Sequence, residues 1–297
     1  MHDHLVRAIV RDARVRVICA LSTGVVAESA RRHGSSPQVT CALGRALTSG
    51  LLLATLTKGN ERVTVQWAGD GPIGSITVDA TADGDVRGYA LHPDAGPPLQ
   101  GGRCQVAETL GRHGVVNVLR DLGLKERYQG QVALTTGEVD EDVEAYLRTS
   151  EQVPSALGCE VLLDQEGRVK AAAGILVQTL PEGDPDAVRE IQHALRTGRL
   201  LELLEAGERS ARVLAEQIWG KGPLEWMGEE RPVRFQCRCS QERIGEMLQI
   251  LGTVDLDEMI AENKPAEITC NYCNTKYQVD RPALERIRAQ VAPRQSN

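Results

Sequence analysis

The spacing of apolar residues changes character along the first part of the chain. In residues 39–58 leucines recur every three or four positions, which predicts an amphipathic helix that ends at Gly59-Asn60. Residues 61–90 instead alternate between apolar and polar positions, with turn signals at 69–72 and 83–85. Alternation interrupted by such turns is typical of half-buried strands joined by hairpins. The pattern therefore predicts a long helix followed by an antiparallel meander.

Shorter signals predict the remaining elements of the first 180 residues. These are a strand at 15–20, a helix at 26–32, a loop over 93–113, strands at 115–119 and 128–134, a helix with an acidic start at 138–147, and a hairpin of 157–163 with 169–177. Antiparallel strands combined with helices are typical of the α+β class. We therefore expect residues 1–180 to form an N-terminal domain in which antiparallel sheet packs with helices.

A change of organisation follows at the Pro- and Gly-rich residues 181–185. Residues 186–219 carry apolar stripes at helical spacing, interrupted by Gly198 and Gly207. Acidic residues outnumber basic ones, eleven to seven, over 181–231. We predict a helical linker at 181–231, an amphipathic connector docked on a partner surface. The alternative is a helical hairpin that completes the core of the first domain.

Four cysteines dominate the remaining segment, a predicted C-terminal module at 232–297. Cys237 and Cys239 are separated by one residue, and Cys270 and Cys273 by two. A structural zinc site takes four ligands in a tetrahedron, and thiolates suit the metal well. Two close pairs in one short segment predict a single four-thiolate Zn²⁺ site. Nine basic and nine acidic residues balance over 233–297, which disfavours a nucleic-acid-binding zinc ribbon.

The same cysteine spacings suit redox chemistry. Thiolates held by a metal are already deprotonated, and the thiolate is the form that oxidants attack. Cys-x-x-Cys closes readily to a disulfide, whereas Cys-x-Cys closes only a small, strained and easily reduced ring. Structural zinc contributes about 10–16 kcal/mol in zinc-finger peptides, more than a small apolar core supplies. Oxidation of the ligands should therefore unfold the module. The plainer alternative is a structural zinc that never changes state.

Composition narrows the class of protein. The 297 residues include 41% hydrophobic and 25% charged residues, as in an ordinary globular protein. A net charge of −7 and 3% aromatic residues do not fit a nucleic-acid binder. No apolar run is long enough for a membrane span, and the first residues lack the apolar core of a secretion signal. With eight cysteines in this context, we expect a reducing cytoplasm.

The residues also resemble a known family, the 33 kDa chaperonin (heat-shock protein) family of redox-regulated holdases, over nearly the whole chain. The resemblance rests on residues 235–243 around the first cysteine pair, Cys270-Asn271-Tyr272-Cys273 with Tyr277, and the segments 69–74, 87–89, 146 with 150–155, and 173–181.

The resemblance implies an ATP-independent cytoplasmic chaperone that is inactive when reduced and zinc-bound. Oxidants would form disulfides Cys237–Cys239 and Cys270–Cys273, release zinc and unfold the C-terminal module and linker. The exposed surface would bind unfolding client proteins, often as a homodimer. Cys19, Cys41, Cys104 and Cys159 lie outside the family's motif. We expect them to be small core residues, although additional disulfides are open.

Two other classes of function compete with this interpretation. One is a constitutive binding or assembly protein with a permanent zinc module. The other is an enzyme with structural zinc, which we disfavour because the six histidines show no ligand or triad spacing. A four-thiolate site also leaves no coordination position open for catalysis.

Overall fold

The computed structural model describes residues 2–57, 61–99, 104–121, 128–262 and 264–291. By their contacts, the residues divide into two compact units, unit 1 (Met1–Gln236) and unit 2 (Cys237–Asn297). The predicted division into 1–180, 181–231 and 232–297 stays a prediction. Nowhere in the described part of the chain is a helix long and apolar enough to cross a membrane.

Unit 1 mixes strands and helices, as predicted for the α+β class. Its strands are β1 (His4–Val10), β2 (Val15–Leu21), β3 (Arg62–Gly69), β4 (Ser75–Thr81), β5 (Asp85–Ala90), β6 (Gly114–Asp121), β7 (Tyr128–Ala133), β8 (Ser155–Leu163), β9 (Val169–Thr179), β10 (Glu225–Trp226), β11 (Arg231–Pro232) and β12 (Arg234–Phe235). Its helices are α1 (Thr23–His33), α2 (Pro37–Ala54), α3 (Val106–Leu110), α4 (Val139–Thr149), α5 (Pro185–Arg196), α6 (Arg199–Glu205) and α7 (Ala211–Trp219).

The strands of unit 1 form two six-stranded sheets. Sheet A has the order β10-β1-β2-β9-β8, with β11 also pairing with β1, and sheet B has the order β12-β5-β4-β3-β6-β7. The predicted meander is confirmed as β3-β4-β5, in antiparallel register. The predicted hairpin is confirmed as β8-β9, which joins sheet A through β2.

Helix α2 lies at the centre of the main core of unit 1. Ser36 caps its N-terminus by accepting a hydrogen bond from the N–H of Val39 at 3.2 Å. Leu43, Leu47 and Leu51 are buried in one cluster with residues of both sheets. The apolar period seen in the sequence therefore marks a helix buried between two sheets, and it ends at Ala54; the predicted stop at 59–60 lies outside the described residues.

The opposite face of sheet A carries a second core. Alternate residues of β2, such as Val17 and Cys19, are buried there with side chains of α5, α6 and α7. The helices predicted as a linker thus pack on a sheet within unit 1. Among them Trp219 of α7 is only 3% exposed. We refer to this sheet face and its helical cover as the linker core.

Unit 2 is small and has its own modest core. It contains β13 (Ala266–Thr269) paired antiparallel with β14 (Lys276–Val279), and the helices α8 (Gln241–Gln249), α9 (Thr253–Ala261) and α10 (Arg281–Gln290). Five buried apolar residues form its centre: Ile244, Leu248, Leu256, Val279 and Leu284. Ser240 caps α8, since its hydroxyl accepts from the N–H of Arg243 at 3.3 Å.

Candidate metal centre

One pair of cysteines lies in the tight turn between β13 and β14. The N–H of Cys270 donates to the carbonyl of Thr275 at 2.9 Å, and the carbonyl of Cys270 accepts from Cys273 at 3.3 Å and from Asn274 at 2.8 Å. Asn274 has φ +57°, a left-handed conformation that asparagine adopts more readily than most residues. This closed turn holds the sulfurs of Cys270 and Cys273 on one side.

The other pair lies in the irregular segment that precedes α8. Its conformation is fixed from the helix, because the guanidinium of Arg243 donates to the carbonyl of Arg238 at 2.8 Å. The capping bond from Ser240 sets where the helix begins. Both bonds constrain the residues beside Cys237 and Cys239, so this pair too is positioned by its local sequence.

The four sulfurs converge on one point. All four Sγ atoms lie within 4.8 Å of one another, with Cys237 and Cys270 separated by 3.8 Å and Cys239 and Cys273 by 3.3 Å. Zinc–sulfur bonds of about 2.3 Å in a tetrahedron require sulfurs about 3.8 Å apart. Three of the residues are half-buried and Cys273 is buried. The cluster could therefore hold one metal ion.

The surroundings of two of the sulfurs favour protonated thiols when no cation is bound. Burial raises the pKa of the Cys239 thiol to about 12; the Tyr277 hydroxyl opposes this shift and the sulfurs of Cys273 and Cys237 add to it. Burial likewise raises the pKa of Cys270, while the N–H groups of Tyr272 and Cys273 act in the opposite direction. A bound cation would reverse this preference, because a coordinating thiol is deprotonated. The donor set fits a thiophilic divalent metal.

Two polar side chains support the sulfurs. The hydroxyl of Tyr277 donates to Cys239 Sγ at 3.0 Å, and the Thr275 hydroxyl lies 3.2 Å from Cys273 Sγ. The hydrogen bond to Cys239 raises the pKa of the Tyr277 hydroxyl, which keeps it a donor. Sequence reasoning gave neither side chain a role at the site. The available signal was their position, two and four residues after Cys273 on the turn and strand that follow it.

The geometry does not select a disulfide pairing. Every sulfur lies within 4.8 Å of the others, so each could reach more than one partner. The predicted pairs Cys237–Cys239 and Cys270–Cys273 therefore stay predictions.

The other four cysteines lie in unit 1 and fall into two groups. Cys19 and Cys159 are free and buried, as expected for small core residues. Cys41 is also buried, but it is joined to Cys104 by a disulfide, so for this pair the expectation of plain core residues was incomplete.

Comparison with known proteins places the chain in a family. A family model described as Hsp33 protein matches residues 3–280. The chain belongs to the Hsp33 family. It is 38% identical over 291 residues to the 33 kDa chaperonin of Bacillus subtilis strain 168, covering 97% of this chain and 99% of that protein. It is 39% identical over 287 residues to the 33 kDa chaperonin of Geobacter sulfurreducens, covering 96% and 95%.

A solved structure agrees with this membership. The crystal structure of a 33 kDa chaperonin, a heat shock protein 33 homolog from Thermotoga maritima, matches with a TM-score of 0.86 and 32% identity. The match covers 97% of this chain and 98% of that one. The Hsp33 family is a class of chaperones and not of enzymes, so membership supports a chaperone function that involves binding client proteins.

Proposed function

We propose that this Hsp33 protein is a redox-regulated, ATP-independent holdase, inactive when reduced and zinc-bound. Cys237, Cys239, Cys270 and Cys273 would hold one Zn²⁺ as thiolates. The observation that carries the proposal is the convergence of four sulfurs within 4.8 Å in a unit whose core cluster, among the described residues, has five buried apolar members. A unit with so small a core depends on its ligands for stability.

Oxidation would remove those ligands. In each pair, two thiols and one hydrogen peroxide give one disulfide and two waters, so neither sulfur remains a thiolate donor. We infer that Cys237 pairs with Cys239 and Cys270 with Cys273. Unit 2 would then lose the metal and unfold, since its apolar core is too small to persist alone.

The linker core offers the surface for client binding. Helices α5 to α7 cover one face of sheet A with apolar residues of β1, β2 and β9 beneath them. We propose that unfolding extends into these helices after zinc is lost, which exposes this face to the apolar segments of unfolding proteins. The active form would be a homodimer, and the setting the cytoplasm, where oxidation is exceptional.

The test oxidises the zinc-loaded, reduced protein with peroxide at raised temperature. We expect released zinc, loss of the four cluster thiols, suppression of a client's aggregation, and a red shift in the emission of Trp219 as it leaves the linker core. Cys159→Ala, which removes a buried thiol outside the cluster, is the matched control and should behave as the unmodified protein. Disulfide mapping would identify the pairing.

Two results would contradict the proposal. If zinc stays bound after oxidation, the cysteines do not form a switch. If client protection is the same before and after oxidation, the protein is a constitutive binding protein with a permanent metal site. Replacing Cys237 and Cys239 by serine should abolish tight zinc binding, and unchanged metal content would remove the site assignment.

A further inference from the structure

A second pair of cysteines lies in unit 1, apart from the four-sulfur cluster. Cys41 belongs to α2 and is 0% exposed, whereas Cys104 is half-buried in the segment that leads into α3. The two residues are 63 positions apart in sequence, with their Cα atoms 6.2 Å apart, inside the range that a disulfide spans. No local sequence motif predicts the pair, because the fold brings the two residues together.

The approach of the two residues is fixed by bonds other than the one between the sulfurs. Gln38 of α2 accepts a hydrogen bond from the N–H of Gln105 at 2.8 Å. The carbonyls of Thr109 and Leu110 accept from the N–H groups of Ile73 at 3.1 Å and Gly71 at 2.9 Å. The segment that follows Cys104 is therefore held against α2 and the β3–β4 turn in the dithiol state too.

A small cavity lies beside the pair. Its volume is about 180 Å³, and both Cys41 and Cys104 line it, together with Arg45, Glu160 and Glu205. One water takes about 30 Å³ in the liquid, so a peroxide molecule fits. Cys19 and Cys159 do not line this cavity.

These two other cysteines of unit 1 are also poor nucleophiles. Both are buried. Burial raises the pKa of Cys19 to about 12 and that of Cys159 well above its ordinary value. Thiols in such surroundings stay protonated and inert.

We propose that Cys41 and Cys104 form a second thiol–disulfide switch, oxidised by peroxides independently of the four-sulfur cluster. The half-buried Cys104 thiolate attacks hydrogen peroxide, which gives a sulfenic acid and releases hydroxide. The Cys41 thiol then displaces that oxygen, forming the sulfur–sulfur bond and releasing water. In total two thiols and one peroxide become one disulfide and two waters.

The effect of this bond on stability is opposite to that of oxidation in unit 2. A disulfide between residues 63 positions apart restricts the unfolded chain and so favours the folded state. It also ties the α3 segment to α2, the central helix of the main core. The same oxidant that unfolds unit 2 would therefore strengthen the main core of unit 1, around α2 and α3. Formation of the Cys41–Cys104 bond does not depend on zinc binding by the cluster, and only the contrast with unit 2 rests on the proposed function.

Peptide mapping tests whether the bond forms. The full-length, zinc-loaded protein is reduced, treated with graded peroxide, alkylated and digested without reductant. We expect a crosslinked peptide that contains Cys41 and Cys104, with Cys19 and Cys159 alkylated. Recovery of Cys104 as a free thiol, as a sulfinic acid or in a bond to another cysteine, at peroxide levels that fully oxidise the four-sulfur cluster, would overturn the proposal.

Thermal unfolding tests the consequence. In a protein with Trp219→Phe and Trp226→Phe, the emission of buried Trp67 follows the main core of unit 1. Oxidation should raise its unfolding midpoint by about 5–10 °C. Cys104→Ala should remove this rise, whereas the control Cys159→Ala should keep it. An equal rise in both variants, or none in the parent, would refute a stabilising role. If Cys104→Ala fails to fold, Cys104→Ser gives the same comparison with a more polar side chain at this half-buried position.

Discussion

The two units of this protein are stabilised in different ways. Unit 1 buries two large apolar clusters on the faces of its sheets, and helix α2 is buried along nearly its whole length. In the described part of unit 2, the core cluster has five buried apolar members from the short hairpin and three helices, and four sulfurs from the hairpin turn and the segment before α8 converge on one point. A large core persists under many conditions, whereas a small core with a metal site depends on its ligands. Stability is therefore distributed so that one part can respond to chemistry while the other is retained.

Removal of the metal should produce the largest difference in stability between the two units. A chelator strong enough to strip zinc from the reduced protein should unfold unit 2, because the metal contributes about 10–16 kcal/mol in comparable small modules. Limited proteolysis should then cut within residues 237–291, and far-ultraviolet circular dichroism should lose the contribution of α8 to α10. The emission of Trp67 should not change.

The control for this experiment is the protein with all four cluster cysteines replaced by serine. Its unit 2 should already be open to protease, and the chelator should add nothing. If residues 237–291 stay protected from protease after complete metal removal, the small apolar core is enough to keep unit 2 folded without metal.

Matched leucines compare the two cores directly. Leu51 on α2 and Leu256 on α9 are both almost fully buried. Truncation of a buried leucine to alanine costs about 2–5 kcal/mol. Leu51→Ala should lower the unfolding midpoint of unit 1 and leave metal affinity unchanged. Leu256→Ala should weaken metal affinity about 100-fold, because folding and metal binding are coupled in unit 2. A competition titration with a zinc chelator measures the affinity.

One result would contradict the proposed difference between the two cores. If Leu256→Ala leaves zinc affinity unchanged, the metal site is organised by its turn alone and not by the fold of unit 2.

The four-cysteine cluster and the elements of the fold could be predicted from the sequence to different extents, for physical reasons. The four-cysteine cluster was predictable because each pair is held by its own neighbours, in a tight turn or ahead of a capped helix. The meander β3-β4-β5 was predictable because one residue in two is buried along β3 and β5. Strand β1 was missed because Leu5 and Val6 are buried on opposite faces, which hides the alternation.

Features that depend on long-range contacts or on very short elements were harder to predict from the sequence. Helix α3 lies inside the predicted loop 93–113 and has only five residues, too short for a periodic signal. The helices at 185–219 carry an amphipathic pattern that predicts a docked connector, but the pattern alone does not show which surface covers it. The bond between Cys41 and Cys104 joins residues 63 positions apart and depends on the whole fold.

A rise in pH should lower the stability of unit 1 and strengthen metal binding by unit 2. Burial raises the pKa of Glu160 in unit 1 to about 7, with Arg45 opposing and Asp140 adding to the shift. A carboxyl whose pKa is raised on folding stabilises the folded state fully below its ordinary value of 4.5, and this contribution is lost as pH rises through about 7. Unit 1 should thus become less stable between about pH 5 and about pH 8. Metal binding by thiolates should instead strengthen over this range.

Replacement of the carboxyl identifies its contribution. Because Glu160 is half-buried and partly screened by solvent, we expect Glu160→Gln to remove only about 1 kcal/mol of this pH dependence. Thermal unfolding followed at Trp67 provides the measurement, and Glu166→Gln, at an exposed position in the β8–β9 turn, is the control. An unchanged pH profile in Glu160→Gln would assign the dependence to other groups.

The smallest expected difference concerns two serine caps of equal geometry. Ser210 accepts from the N–H of Val213 at 3.4 Å at the start of α7, and Ser240 accepts from that of Arg243 at 3.3 Å at the start of α8. Loss of a serine cap costs about 1 kcal/mol. In Ser210→Ala this should lower only the unfolding midpoint, by about 2–4 °C. In Ser240→Ala the same cost should weaken zinc affinity about fivefold, because α8 begins two residues after Cys239 and we propose that its folding is coupled to metal binding. Equal effects of both changes on zinc affinity would show that α7 and the metal site are coupled before any oxidation occurs.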